Sequence, residues 1–161
     1  MSNLKILKTI KFIISDFDGV MTDGCVYVDD KLNMSRKVSF KDLMAISLLK
    51  KAGIQVVFIS GEKNALIDLL VERFSLAESH QDIRIKIDVL KQVVEKYNLK
   101  PEEFLYMGDD INDTACLNFA QTRITVPNST PTLKKIKGIQ ITRAKGGDGA
   151  FREVVDCLLS S

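Results

Sequence analysis

Several features that would point directly to a function are missing from this chain. There is no excess charge of one sign. The 23 Lys and Arg residues nearly balance 21 Asp and Glu, leaving a net charge of +2, so nucleic-acid binding has no electrostatic footprint. The basic cluster Lys134, Lys135 and Lys137 reads as a solvated helix face. No apolar run approaches the ~18 residues of a membrane span. The opening segment 1–8 carries charges every few residues and no apolar core, so neither a signal peptide nor a membrane role is expected. Cys25, Cys116 and Cys157 are odd in number and far apart, with no CxxC pair, which suits reduced thiols in a cytoplasmic protein. Cys157, beside Leu158 and Leu159, reads as core packing. Internal repeats, low-complexity tracts and linkers are also lacking. What is present is 161 residues, 45% hydrophobic and 27% charged, enough for one globular domain over 1–161 with a real core.

Strand and helix patterns alternate along the chain. Strands are expected near Lys11–Ser15, Ile54–Ser60, Phe104–Gly108 and Thr122–Val126, with weaker ones near Leu76–Glu78 and Gly138–Ile141. Helices are expected near Asp42–Ala52, Lys63–Phe74, Arg84–Tyr97, Asp113–Ala120 and Gly149–Leu159. In the third, Ile87, Leu90, Val94 and Tyr97 recur on one face. This alternation predicts an α/β fold: a three-layer, Rossmann-like parallel sheet with helices on both faces. One segment breaks the rhythm. Cys25–Val28 and Met34–Val38 flank Asp29-Asp30-Lys31-Leu32-Asn33, a small β-hairpin flap over about 25–38, with no large cap domain.

Polar groups suited to phosphate chemistry follow four of these elements. Asp16-Phe17-Asp18-Gly19 ends the first strand, Ser60-Gly61-Glu62 follows the second, Lys86 opens a helix, and Gly108-Asp109-Asp110-Ile111-Asn112-Asp113 follows Phe104–Met107. Ligands of open α/β sheets bind beyond the carboxyl ends of the strands. A carboxylate is ionised at neutral pH, so Asp16 needs no separate base to attack phosphorus. Its repulsion from a phosphate dianion calls for a hard divalent cation with oxygen ligands, shared by Asp16 and Asp109. Lys86 adds positive charge to the transferring group, and the Ser60 hydroxyl and nearby N–H groups can hold phosphate oxygens. Asp18 can protonate the departing alkoxide and later take a proton from water. Singly, each motif has a plain structural reading as a cap, a turn or a solvated lysine; the ordered set of four does not.

The set resembles the four motifs of the haloacid dehalogenase superfamily of phosphotransferases. Gly19-Val20-Met21-Thr22-Asp23-Gly24, Tyr106-Met107-Gly108-Asp109-Asp110 and Gly146-Gly147-Asp148-Gly149-Ala150-Phe151-Arg152-Glu153 extend the resemblance to one branch along nearly the whole chain. That branch comprises the small tetrameric phosphatases of 2-keto-3-deoxy sugar acids, acting on 3-deoxy-D-manno-octulosonate 8-phosphate or on nonulosonate 9-phosphates. The resemblance implies Asp16 as nucleophile, forming an aspartyl-phosphate, and Asp18 as acid/base. It implies Mg²⁺ held by Asp16, Asp109 and the Asp18 backbone carbonyl, with Asp110 and Asp113 around the metal's water shell. Ser60 and Lys86 bind the phosphoryl group, while Lys41, Asp42, Gly61, Glu62 and Arg152 face the substrate. A homotetramer is implied, with the flap and carboxyl end of one subunit completing a neighbour's site. His80, the one histidine, reads as a strand-end residue, because this mechanism already has its acid and base.

The chain departs from the octulosonate pattern at Glu62 and Asp148, where arginines are usual, and these positions resemble the nonulosonate enzymes instead. Glu62 either accepts hydrogen bonds from a sugar hydroxyl or amide or stands beside Lys63 at a helix start, favoured by the helix dipole. Leu70 lies where relatives place an arginine reaching the adjacent subunit, a role open to Arg73. Two other functions compete. A catalytically silent phosphatase-like oligomerisation domain associated with sialic-acid activation would lose the motif acids that are kept here. A response-regulator receiver would carry its phosphorylated aspartate on the third strand.

Overall fold

The computed structural model describes residues 4–160. Six parallel strands form the central sheet: β1 (Phe12–Ser15), β4 (Gln55–Ile59), β5 (Glu78–His80), β6 (Phe104–Met107), β7 (Thr122–Thr125) and β8 (Gln140–Ile141), in the spatial order β5-β4-β1-β6-β7-β8. Between β1 and β4 run the short hairpin strands β2 (Tyr27–Val28) and β3 (Met34–Ser35) and helix α1 (Phe40–Lys51). The remaining helices are α2 (Ala65–Phe74), α3 (Lys86–Lys96), α4 (Thr114–Phe119) and α5 (Ala150–Ser160).

The inner strands read as continuous apolar runs because helices cover both faces of the sheet. Period-two alternation then divides their side chains between two cores. Ile13, Val56, Phe58, Leu105 and Met107 pack with α1, α2 and α5 on one face. Phe12, Ile14, Val57, Ile59 and Tyr106 pack with α3 and α4 on the other. Phe17, just past β1, meets Phe58 edge-on at 5.2 Å between ring centroids, which closes the first core beneath the acidic loop.

Local chemistry sets the helix ends. The Ser39 side chain accepts the Lys41 N–H to start α1, and the Asn64 side chain accepts the Leu66 N–H to start α2. That cap places the start of α2 at Ala65, later than the expected Lys63, so Glu62 sits in the preceding loop and has no helix start beside it. Strand β5 is likewise displaced from Leu76–Glu78 to Glu78–His80, since Ser75 ends α2 in a left-handed turn (φ 53°) and the chain needs several more residues to regain the sheet. The Lys134 and Lys135 side chains are exposed on a single 3-10 turn, Leu133–Lys135, rather than on a longer helix face. Leu70 is buried in the first core and cannot reach a neighbour. No helix of the described residues is long and apolar enough to cross a membrane.

The sheet order places the topological switch point between β1 and β6. From β1 the chain builds outward through β4 and β5, then crosses back to add β6, β7 and β8 on the other side. A crevice forms where successive connections diverge in this way. Asp16 follows β1 and Asp109 follows β6, one on each side of it.

Candidate active site

The floor of the crevice is a buried ionic cluster. The Asp16 N–H continues the β1–β6 ladder by donating to Met107 O at 2.9 Å, which fixes the side chain at the strand end. Asp16 Oδ1 accepts the Phe17 N–H at 2.6 Å, and Oδ2 lies 2.6 Å from Lys86 Nζ. Lys86, in the first turn of α3, has a fully buried side chain and also donates to Asp113 Oδ1 at 2.9 Å. Burial alone would lower the Lys86 pKa. The charges of Asp113 and Asp16, with the hydrogen bonds Lys86 donates to both, outweigh burial and raise it, so the ammonium stays charged.

Asp113 braces the floor through both of its carboxylate oxygens. Its Oδ1 accepts from Lys86 and from the Tyr106 hydroxyl (2.8 Å), and its Oδ2 accepts the N–H groups of Asp109 (3.1 Å) and Asp110 (3.2 Å). Those four bonds occupy the acceptor capacity of one carboxylate. Asp113 therefore holds Lys86 and shapes the loop that carries Asp109. Gly108 makes this return possible, because a Cβ there would sit 2.4 Å from Asp113 Cγ.

One carboxylate oxygen from each of Asp16, Asp109 and Asp113 lies within 4.8 Å of the others. Burial and the nearby Asp113 charge push Asp109 up to about 7, partly opposed by Lys86. Burial, with Asp113, likewise pushes Asp16 up against the opposing pull of Lys86. Carboxylates this close stay ionised together only beside added positive charge. Asp109 also presses against the turn after Asp18: a Cβ on Gly19 (φ +82°) would come 1.9 Å from Asp109 Oδ2. Hard oxygen donors, a disfavoured like-charge pair and a cradle that only glycine permits all fit a divalent cation held by Asp16 and Asp109.

The other expected residues divide into two groups. Asp18, Ser60, Gly61, Glu62 and Asp110 line the cleft, together with Ile83, Arg84 and Asn112. Asp18 Oδ1 accepts from the Thr22 hydroxyl at 3.2 Å and lies 3.0 Å from Arg36 Nε. Ser60 Oγ donates to Glu62 O at 2.9 Å, and Asp110 Oδ1 accepts the Ile111 N–H at 2.7 Å. Lys41, Asp42 and Arg152 are outside the lining of their own subunit's cleft. Asp42 corrects the expectation most sharply. It is fully buried, and its carboxylate accepts the Gly149 N–H (3.1 Å) and the Arg152 N–H (2.8 Å), which caps the start of α5. Burial nonetheless raises its pKa against those bonds. The Arg152 side chain pairs with Asp156 at 2.6 Å along α5.

Sequence reasoning did not single out Tyr106, Arg36, Arg84 or Asn112 as site residues. Tyr106 carried a usable signal: a tyrosine in a strand buried on both faces needs a partner for its hydroxyl. Half-buried Arg36 and exposed Arg84 and Asn112 carried no comparable signal.

Comparison with known proteins points to one family. Residues 80–153 match the family model of haloacid dehalogenase-like hydrolases. The 3-deoxy-D-manno-octulosonate 8-phosphate phosphatase of Yersinia pestis is 29% identical over 150 residues, covering 93% of this chain and 80% of that one. The corresponding phosphatase of Moraxella catarrhalis, solved with a magnesium ion, a phosphate ion and a KDO molecule, superposes with a TM-score of 0.87 at 27% identity, covering 95% and 87%. A haloacid dehalogenase superfamily (subfamily III A) hydrolase from Legionella pneumophila is 31% identical with a TM-score of 0.87, covering 95% and 84%. The chain belongs to the haloacid dehalogenase-like hydrolases and is a phosphoric monoester hydrolase with Mg²⁺ as its cofactor.

Proposed function

We propose that this chain hydrolyses the phosphate monoester of a 2-keto-3-deoxy sugar acid through a phosphoryl-Asp16 intermediate. The observation that carries the reading is the buried contact between Lys86 and Asp16, 2.6 Å long, with Asp109 directly beside it. The contact joins a nucleophile to the cation that screens its approach to phosphate. In this reading Asp16 attacks phosphorus while Asp18 gives its proton to the leaving oxygen. Asp18 then takes a proton from the water that releases phosphate. Lys86 and Ser60 hold the phosphoryl oxygens, and Asp113, saturated by its four donors, keeps Lys86 aimed at them. When bound by Asp16, Asp109 and the Asp18 carbonyl, Mg²⁺ supplies the charge that lets two anions meet; Asp110 stands at the edge of that site.

The names of the relatives favour 3-deoxy-D-manno-octulosonate 8-phosphate as the substrate. A nonulosonate 9-phosphate is the second reading. It is favoured by Glu62, whose exposed carboxylate lines the cleft where it can meet hydroxyl or amide groups of a longer sugar acid. A homotetramer in the cytoplasm completes the proposal. The cleft is open, and the hairpin and the start of α1 expose Val28, Leu32, Met34 and Phe40, apolar surface of the kind that copies of a chain bury against each other. Lys41 and Arg152 would then serve a neighbour's cleft. Phosphate release from a panel of octulosonate 8-phosphate, nonulosonate 9-phosphates and p-nitrophenyl phosphate tests the assignment. Preference for one sugar acid by at least tenfold in kcat/KM is expected. Turnover of the aryl ester alone would overturn it.

A further inference from the structure

The hairpin contributes one side chain to the catalytic centre that the roles above leave unused. Arg36 follows β3, and its Nε lies 3.0 Å from Asp18 Oδ1. The Thr22 hydroxyl donates to the same oxygen at 3.2 Å, while its own oxygen accepts the N–H groups of Gly19 (3.1 Å) and Gly24 (3.2 Å). A hydroxyl has one proton to give, and these two accepted bonds aim it at Asp18. The other carboxylate oxygen, Asp18 Oδ2, is buried and has no hydrogen-bond partner. The two oxygens of one carboxylate thus stand in opposite environments.

We propose that Arg36 is a positioning residue for proton transfer: with Thr22 it holds the Asp18 carboxylate in place through Oδ1. The inference rests on Asp18 being the acid/base. In the first half-reaction the Asp16–phosphorus bond forms, the ester phosphorus–oxygen bond breaks, and the Asp18 carboxyl proton passes to the departing alkoxide. In the second, the water oxygen bonds to phosphorus, the Asp16–phosphorus bond breaks, and a water proton returns to the Asp18 carboxylate. Asp18 ends as it began. The hairpin is anchored to this arrangement at its base, where Val38 bridges Thr22 across the chain, two residues after Arg36. Side chains of Arg36 and Asp18 are each about one quarter exposed (24% and 28%), so orientation of Asp18 depends on the hairpin keeping its place rather than on burial.

Leaving-group dependence tests this. An alkyl phosphate needs its leaving oxygen protonated, whereas p-nitrophenolate departs without help, and kcat/KM reports steps only as far as that departure. The measurement is the ratio of kcat/KM for the best alkyl phosphate of the panel above to that for p-nitrophenyl phosphate. General acid catalysis supplies roughly 10²–10⁴-fold. Losing one of two orienting bonds in Arg36→Ala is expected to lower the ratio about tenfold or more. Arg36→Lys, whose ammonium still donates to Oδ1, is expected to restore most of it. An unchanged ratio in Arg36→Ala, whether both substrates keep their rates or lose them equally, overturns the proposal. Asp18→Asn, measured alongside, is expected to show the same selective loss, larger. If it spares the alkyl substrate, the acid/base assignment itself fails, and that result is distinct from a failure confined to Arg36.

Discussion

The floor and the rim of the cleft are built on opposite principles. On the floor, Asp16, Lys86, Asp113 and Tyr106 are buried and bonded to one another, with each acceptor of Asp113 filled. At the rim, Glu62, Arg84 and Asp110 are exposed, and the hairpin beside them is held by a ladder of two residue pairs. A buried ion-pair network fixes geometry because each member left alone would be an uncompensated charge. An exposed side chain is free to adapt and adds little to stability. The contrast implies that the floor carries the phosphoryl chemistry, common to many substrates, and the rim selects the sugar.

Breaking the floor at its nucleophile should have the largest effect. Asp16→Asn is expected to reduce turnover on the order of 10⁴-fold or more, with an unchanged circular dichroism spectrum; retention of substantial phosphatase activity would remove Asp16 from its role. Lys86→Ala strikes chemistry and fold together. Loss of the phosphoryl-binding cation should lower kcat roughly 10²–10³-fold, and stranding two buried carboxylates should destabilise the protein by about 3–5 kcal/mol, read by denaturant unfolding. A kinetic loss without destabilisation would mean that the network does not hold the floor together.

A subtler outcome is expected for Asp109. Its folded pKa of about 7 exceeds the ordinary 3.8. Below 3.8 both folded and unfolded states are protonated. As pH rises from there, the unfolded state ionises first, so stability declines until about pH 7 and is level beyond it. Metal-free Asp109→Asn should therefore lose this decline and melt no lower than the wild type at pH 8. Saturating Mg²⁺ should raise the wild-type Tm by roughly 5–10 °C and leave the variant where it was. The comparison is sharpened last at the rim, where Glu62→Arg should alter the ratio of kcat/KM between eight- and nine-carbon acids by a few-fold to tenfold. Tm should stay constant in that variant; an unchanged ratio would exclude Glu62 from substrate selection.

The same divide governs how much was legible in the sequence. Asp16, Asp18, Ser60 and Asp109 could be placed because each ends an apolar strand of an alternating pattern, and parallel sheets bring such ends to one edge. Asp42 looked equally accessible, yet its partners are backbone groups 107 and 110 residues downstream. No local pattern signals a side chain that caps a distant helix. The bracing contacts of Asp113 were hidden for a related reason: its four donors come from three elements, which only the fold brings together. Arg36 and Arg84 lie on irregular, exposed segments, where periodicity carries no information. A polar side chain that ends an apolar strand is marked by hydrophobic patterning; a contact made across the fold is not.

The most direct measurement is peptide mapping of enzyme quenched in acid during steady turnover with Mg²⁺ and a phosphate monoester. A phosphoryl group on the side chain of Asp16, absent from Asp16→Asn, is the expected result. Turnover without any phosphorylated peptide, or with the group on Asp18 or Asp109 instead, would contradict a floor organised around Asp16 as the nucleophile.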